Sequence, residues 1–307
     1  MLPPTGDLRP GLTADGSVTF FSEDFGEWFH SRAGAYAETH TTYVQATDLA
    51  TFAQRPTLTL LDVCYGLGYN TAAALATIQQ VNPGCRVQLV ALELDPRVPQ
   101  RAMANHLLDG WPMPVQSCLK TLAETRAVHQ PLVRATLRIG DARQEIQTLV
   151  REGFWADVIF FDPFSPPHCP ELWTVEFMQQ VAACLRPQGR LATYSCAAAV
   201  RTALRLAGLN IGPIAAAGRR WPGTLAQFQP TGLAPLSSQE QEHLATRAAV
   251  PYRDPNLSDS REAICLRRQQ EQAQSSLGST SCWRQRWQIL NHPTTGFEAI
   301  ACTKSKS

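Results

Sequence analysis

Four short stretches of this sequence place chemically capable side chains where an apolar run gives way to a turn. The first is Asp62-Val63-Cys64-Tyr65-Gly66-Leu67-Gly68-Tyr69-Asn70-Thr71, a strand-like segment ending in a two-glycine turn and continuing into a helical pattern. Gly66 and Gly68 let a ligand approach the backbone, and the helix N-terminus that follows favours an anion. A dinucleotide fingerprint would need a third small residue at position 71, where Thr71 stands, so a ligand with a small carboxylate fits better than a pyrophosphate. Asp62 and Asn70 flank this turn and are expected to contact the same ligand. The second stretch ends at Glu93, 25 residues after Gly68, where an acid can accept hydrogen bonds from both hydroxyls of a ribose. In the third, Gly140-Asp141-Ala142, the acid can accept from an adenine amino group and Ala142 leaves room for the ring. The fourth is Asp162-Pro163-Phe164-Ser165-Pro166, a carboxylate at the end of a wholly apolar run followed by a stiff loop. Each proline forces the residue before it to be extended, so Asp162 is a rigidly held acid, suited to a reaction centre. Taken singly, these are also ordinary turn glycines, surface acids and loop-pinning acids. Their order along the chain is the stronger signal.

The elements that must hold them alternate. Strands are expected over 57–65, 86–94, 134–141, 156–162 and 189–195, and helices over 71–80, 96–108, 143–151, 173–185 and 198–208. The run Ala156–Asp162 shows no polar alternation, as strands covered on both faces of a parallel sheet do. Such alternation means a doubly covered α/β sheet whose ligands sit at the carboxyl ends of the strands. Residues 1–17 read as loose, 18–46 as short strands or a hairpin, 110–133 as an irregular insertion, and 209–216 with 223–229 as a closing hairpin. This divides the chain into an N-terminal hairpin extension (1–50), a main domain (51–232), a helical extension (233–272) and a tail expected to be mobile (273–307).

Composition narrows the class. With 44% hydrophobic and 17% charged residues the chain can bury a core. It has no apolar run long enough to span a membrane, and its opening residues lack a basic-then-apolar block, so a cytoplasmic protein is expected. Nine scattered cysteines without a C-x-x-C pair predict reduced thiols and no metal site. Residues 1–200 hold 14 cations against 19 acids, residues 201–307 hold 13 against 7, and only three of the 27 cations are lysines. Arginine's planar fork suits phosphate, although a solvated basic surface accounts for the same counts.

Glycine turn, ribose acid, adenine acid and reactive acid on successive strands resemble the Rossmann-like S-adenosylmethionine-dependent methyltransferase fold, a seven-stranded, mostly parallel sheet whose last strand is antiparallel. Longer segments narrow the resemblance. They are TADGSVTFFSEDFGEWFHSRAGAYAETHTTYV (13–44), DVIFFDPFSPPHCPELWTVEFMQQ onward (157–209), GRRWPGTLA (218–226) and PYRDPNLSDSREAICLRR (251–268). They are similar to the methyltransferase part of the MnmC family, and more so to its stand-alone forms, over about residues 13–268. The family's first motif begins with a glycine where this chain has Cys64. The resemblance implies S-adenosyl-L-methionine as cofactor and methylation of the primary amine of 5-aminomethyl(-2-thio)uridine at the tRNA wobble position, with no oxidase half. It implies Asp162 as the catalytic acid that orients the amine, and Asp62, Gly66, Gly68, Asn70, Glu93, Asp141 and Ala142 as the cofactor set. Phe164 and Pro166 would desolvate the amine. Glu38, with Arg32 and Tyr36, would line the pocket from the N-terminal segment. Arg219, Arg220, Arg267 and Arg268 would contact the phosphates of the anticodon stem-loop, and Trp173 would either stack on a splayed base or pack in the core. A monomer without metal or membrane contact is expected.

Three competing readings keep the same fold. An aminopropyltransferase of the spermidine-synthase kind shares the acid after the fourth strand but needs an acidic polyamine pocket. A DNA adenine methyltransferase is suggested by Asp162-Pro163-Phe164, although the second proline of its motif is missing. A non-catalytic RNA-binding protein would not need all four strand ends intact.

Overall fold

A computed structural model of the chain describes residues 4–31, 34–214 and 222–291. A three-stranded antiparallel sheet comes first, β1 (Leu8–Leu12), β2 (Val18–Ser22) and β3 (Glu27–Trp28). The main sheet is built from β4 (Thr57–Val63), β5 (Arg86–Glu93), β6 (Ala127–His129), β7 (Val133–Ile139), β8 (Ala156–Phe161), β9 (Leu185–Thr193), β10 (Asn210–Pro213) and β11 (Thr224–Gln227). Its order is β10-β11-β9-β8-β4-β5-β7-β6. The β4, β5, β7, β8 and β9 pairings are parallel, while β11 runs antiparallel to both β9 and β10. The sheet therefore has the expected core and antiparallel closing strand. It carries one strand more than expected, because β6 pairs antiparallel on the far edge of β7.

Register brings the four strand ends to one level. Asp62 lies opposite Ala91 and Phe160, Val63 opposite Leu92 and Phe161, and Glu93 opposite Ile139. From β4 the chain winds outward through β5 and β7, then returns to place β8 on the other side of β4. The crevice between the ends of β4 and β8 is the switch point, where ligands of open α/β sheets bind. Both faces are covered. One core joins Leu58, Leu60 and Phe160 to Tyr43, Leu75 and Leu119. The other joins Leu61, Ile159 and Phe161 to Ile146, Phe177 and Leu204.

Several local expectations are corrected. The 110–133 insertion contains the helix Met113–Thr125, which buries Val115, Cys118, Leu119 and Leu122 on one face. Residues 35–45 are helical, the α-helix Ala35–Glu38 running into the π-helix Thr39–Gln45, because packing of Thr39, Thr42, Tyr43 and Val44 outweighs the strand preference of a Thr-rich stretch. Residues 8–12, read as loose, form β1. The C-terminal extension holds the helices Ser238–Leu244 and Arg261–Gln274, and the segment expected to be a mobile tail contains the helix Thr280–Asn291. That last helix is held by Trp283, which stacks on His243 at 4.1 Å, and by the Trp287 indole, which donates to Glu242 at 2.9 Å.

Candidate active site

A cavity of about 590 Å³ opens at the carboxyl ends of β4, β5, β7 and β8. That size falls in the roughly 300–1,000 Å³ range of small-molecule sites. Gly66, Asn70, Glu93, Ala142, Asp162, Phe164 and Glu38 of the expected set line it.

The glycine turn is bent as its sequence requires. Gly66 and Gly68 have φ of 57° and 86°, and a Cβ on Gly68 would lie 2.6 Å from the Tyr65 hydroxyl. Cys64 shares the left-handed region at φ 70°, a position where a side chain costs about 1–2 kcal/mol and glycine almost nothing. Glu93 accepts the Gly66 N–H on one oxygen at 2.8 Å and the Asp95 N–H on the other at 2.9 Å. Each oxygen keeps a lone pair for a hydroxyl. Burial pushes the Glu93 carboxyl up to about 7. Asp62 does not reach the cavity. It is fully buried beneath the turn, accepts from Thr71 Oγ1 at 2.6 Å on one oxygen and has no partner on the other. Burial pushes its carboxyl up to about 8, the Thr71 bond opposes this, and the nearby Asp162 and Glu93 add to it.

Asp162 follows the last residue of β8, its N–H bonded to the Val63 carbonyl at 3.0 Å. The carboxylate is half-buried and accepts from Asn70 Nδ2 at 2.8 Å, and the Asn70 carbonyl oxygen accepts in turn from Thr39 at 2.9 Å. Burial pushes Asp162 up to about 6, while Tyr43 and Asn70 favour its charged form. The buried Tyr43 hydroxyl lies beside it without a hydrogen bond of good geometry. The proline loop is fixed from three sides. Tyr194 donates to the Pro163 carbonyl at 2.9 Å, Glu27 accepts the Ser165 N–H at 2.8 Å, and the Trp173 indole donates to the Phe164 carbonyl at 2.8 Å. The Phe164 ring stacks on Phe25 at 4.5 Å and meets Phe29 edge-on at 4.9 Å.

Other expected residues lie elsewhere. Asp141 caps the helix Ala142–Arg151 and pairs with the buried Arg143 at 2.8 Å, which also reaches Asp254 at 2.9 Å. Its carboxylate is engaged by that arginine, so Gly140 and Ala142, not Asp141, face the cavity. Pro166 is buried and stiffens the loop from outside the cavity. Trp173 is fully buried against Phe161, which decides for core packing over base stacking. Arg267 is tied to Asp259 and the Arg253 carbonyl, and Arg268 to the Val250 and Ala248 carbonyls and the face of Tyr252. Their donors hold the extension together, and the phosphate-contact reading of this pair is replaced by a structural one. Tyr36 packs on Tyr69 and Trp111. Arg32, Arg219 and Arg220 lie outside the described residues. Sequence reasoning missed Phe25, Glu27 and Phe29, since only the docking of the N-terminal segment onto the proline loop brings them to the cavity, and it missed Tyr194, which follows the end of β9.

Five carboxylates line the cavity, those of Glu27, Glu38, Glu93, Asp95 and Asp162, and no lysine or arginine does among the described residues. No cluster among those residues could hold a metal ion, and no helix among them is long and apolar enough to cross a membrane.

Comparisons with known proteins agree with this geometry. A family model described as S-adenosyl-L-methionine-dependent methyltransferase matches residues 99–229. The crystal structure of MnmC2 from Aquifex aeolicus superposes with a TM-score of 0.77 at 30% identity, covering 89% of this chain and 87% of that one. The chain belongs to the MnmC2 methyltransferase family. An uncharacterised Methanocaldococcus jannaschii protein, MJ0670, is 29% identical over 82% of this chain and 69% of its own length. The bifunctional tRNA 5-methylaminomethyl-2-thiouridine biosynthesis protein MnmC of Ralstonia nicotianae is 29% identical over 71% of this chain, which spans 34% of that protein. The Rossmann-like fold, the enzyme class and the cofactor read from the sequence all hold, and the competing readings are not favoured.

The cavity of this MnmC2-family chain fits S-adenosyl-L-methionine. A Cβ on Gly66 would stand 3.3 Å from the Phe29 ring, so only a bare backbone leaves room above the turn. The five carboxylates among the aromatic and aliphatic side chains of the lining suit a sulfonium cation, and Glu93 presents its carboxylate to the cavity at the end of β5.

Proposed function

We propose that this protein methylates the primary amine of 5-aminomethyl(-2-thio)uridine at the wobble position of tRNA, giving the methylaminomethyl nucleoside. The observation that carries this reading is Asp162, a hydrogen-bonded, ionisable carboxylate at the switch point in a cavity lined by acids and aromatic rings. An amine arrives as an ammonium ion, and a lining whose described residues include five carboxylates and no lysine or arginine admits it where it would repel a phosphate or carboxylate. The acidic lining would suit a polyamine equally, and the family to which the chain belongs decides for methyl transfer. Bound S-adenosyl-L-methionine would supply an electrophilic methyl group.

The residues of the chain supply position, dryness and a proton acceptor. Asn70 holds one oxygen of Asp162, leaving the other to accept an N–H of the substrate and aim the nitrogen lone pair. The nitrogen must be neutral to attack, so the ammonium gives up a proton first. Asp162, ionised above about pH 6, favours that site for the amine and can take the proton on its way to water. Phe164, Pro163 and Tyr194 exclude water around the acceptor. Fixed geometry contributes most of the acceleration.

Asp162→Ala should lower turnover by at least ~10²-fold with S-adenosyl-L-methionine affinity nearly unchanged. Asp162→Asn separates the roles, since it keeps an acceptor and loses the base. Retained activity in Asn would assign Asp162 to orientation alone. Normal turnover in both variants, each folded, would remove it from the reaction.

A further inference from the structure

Sorting the C-terminal arginines by partner leaves a small set whose charge is not used inside the protein. Arg201 is buried and pairs with Glu240 at 2.8 Å, and Arg253 pairs with Glu176 at 2.7 Å. Arg267 and Arg268 are bound as described above. Arg247 and Arg284, like Arg205 on the separate helix Ala198–Leu206, are exposed and have no carboxylate partner among the described residues. Arg286 touches Glu242 at 3.3 Å but stays 64% exposed.

Arg247 lies beside the helix that carries Arg284 and Arg286. The Arg247 N–H donates to the Gly278 carbonyl at 2.9 Å, and the Ala248 N–H to Thr280 Oγ1 at 3.1 Å, so Arg247 abuts the start of the helix Thr280–Asn291 that carries Arg284 and Arg286. In the run Trp283-Arg284-Gln285-Arg286-Trp287 the two tryptophans anchor the helix to Ser238–Leu244, and the arginines between them project outward. The Trp283 indole adds a bond to the Gln239 carbonyl at 3.1 Å. That support is itself tied to the active-site end of the sheet. Glu240 pairs with Arg201, Arg201 donates to Thr224 Oγ1 at 3.0 Å, and Thr224 Oγ1 donates to the Ser195 carbonyl at 2.6 Å, one residue beyond the cavity-lining Tyr194.

We propose that Arg247, Arg284 and Arg286 form the docking surface for the sugar–phosphate backbone of the RNA substrate. The cavity itself, lined by five acids, repels a polyanion. The RNA must therefore gain its electrostatic affinity elsewhere, on a surface held at a fixed distance from Asp162. Two arginines on a tryptophan-anchored helix and a third beside its start provide forked donors for phosphate oxygens at little entropic cost. The inference rests on tRNA being the substrate.

The test uses the full chain with Arg247, Arg284 and Arg286 all changed to Glu, and a second protein with the same three changed to Gln. Binding of an unmodified anticodon stem-loop is measured over a salt series, alongside calorimetry with S-adenosyl-L-methionine. The slope of log affinity against log salt should fall by about 2–3, at roughly 0.7–0.9 for each lost contact. KM for tRNA should rise at least tenfold while kcat and cofactor affinity hold, and the Gln protein should shift in the same direction by less. An unchanged slope in both folded variants overturns the assignment. So does loss of binding to anionic vesicles with tRNA affinity retained, which would make the surface a membrane contact. If the wild type binds the stem-loop with the expected slope but transfers no methyl group to tRNA carrying 5-aminomethyluridine, the surface stands and the proposed activity falls.

Discussion

Asp62 is the residue whose replacement has the most unusual expected sign. Its carboxyl is fully buried, has one oxygen without a partner, and is pushed from 3.8 to about 8. Between those values the folded state holds a proton that the unfolded state has released. Stability from this group is therefore greatest below about pH 4 and falls as pH rises towards 8. A shift of about four units corresponds to roughly 5–6 kcal/mol between the extremes, and relaxation of the surroundings reduces what is realised. Asn is nearly isosteric with the protonated acid and keeps an acceptor for Thr71. Asp62→Asn should match the wild type within ~1 kcal/mol at pH 5 and exceed it by at least ~2 kcal/mol at pH 9. Urea unfolding of the cofactor-free protein at the two pH values measures this. A variant less stable by the same amount at both would show that Asp62 is charged and satisfied in the fold, and would refute the reasoning.

Three further outcomes follow from the geometry. Gly68→Ala, with φ at 86° and the Tyr65 hydroxyl 2.6 Å from the new Cβ, should lose about 2–3 kcal/mol in thermal or urea unfolding. Arg143→Met leaves Asp141 and Asp254 buried without their cation and should lose about 3–5 kcal/mol, measured the same way. Binding of S-adenosyl-L-methionine near pH 6–7 should release protons, because a cation beside Glu93 and Asp162 lowers carboxyls that burial has raised to about 7 and about 6. Calorimetric enthalpies that do not vary with the buffer's ionisation enthalpy would contradict that.

The central sheet was legible because its strands are short apolar runs that stop at glycine, acid or proline, and those stops carry the chemistry. Glu93, Ala142 and Asp162 are readable at strand ends from the residues alone. Asp141 could not be resolved, because sequence shows an acid at a strand end but not the Arg143 that engages it two residues later. The same holds for Arg267 and Arg268, whose partners are mainly backbone carbonyls of a distant segment. The helix Met113–Thr125 was hidden by prolines at 112 and 114 and by its Ser and Thr content, all weak helix signals in isolation. Residues 35–45 show the reverse case, a local strand preference overruled by tertiary packing. Glu27 and Phe29 had no local signature at all. They matter because the first sheet folds onto a loop more than a hundred residues away.

The measurement that bears most directly on the central claim is methyl transfer to tRNA carrying 5-aminomethyluridine, with labelled S-adenosyl-L-methionine and mass analysis of the digested nucleosides. The account predicts one methyl group added to the amine of the wobble nucleoside, with Asp162→Ala slower by at least ~10²-fold. Protein that demonstrably binds the cofactor, yet leaves this nucleoside unchanged or transfers the label to another position, would contradict it.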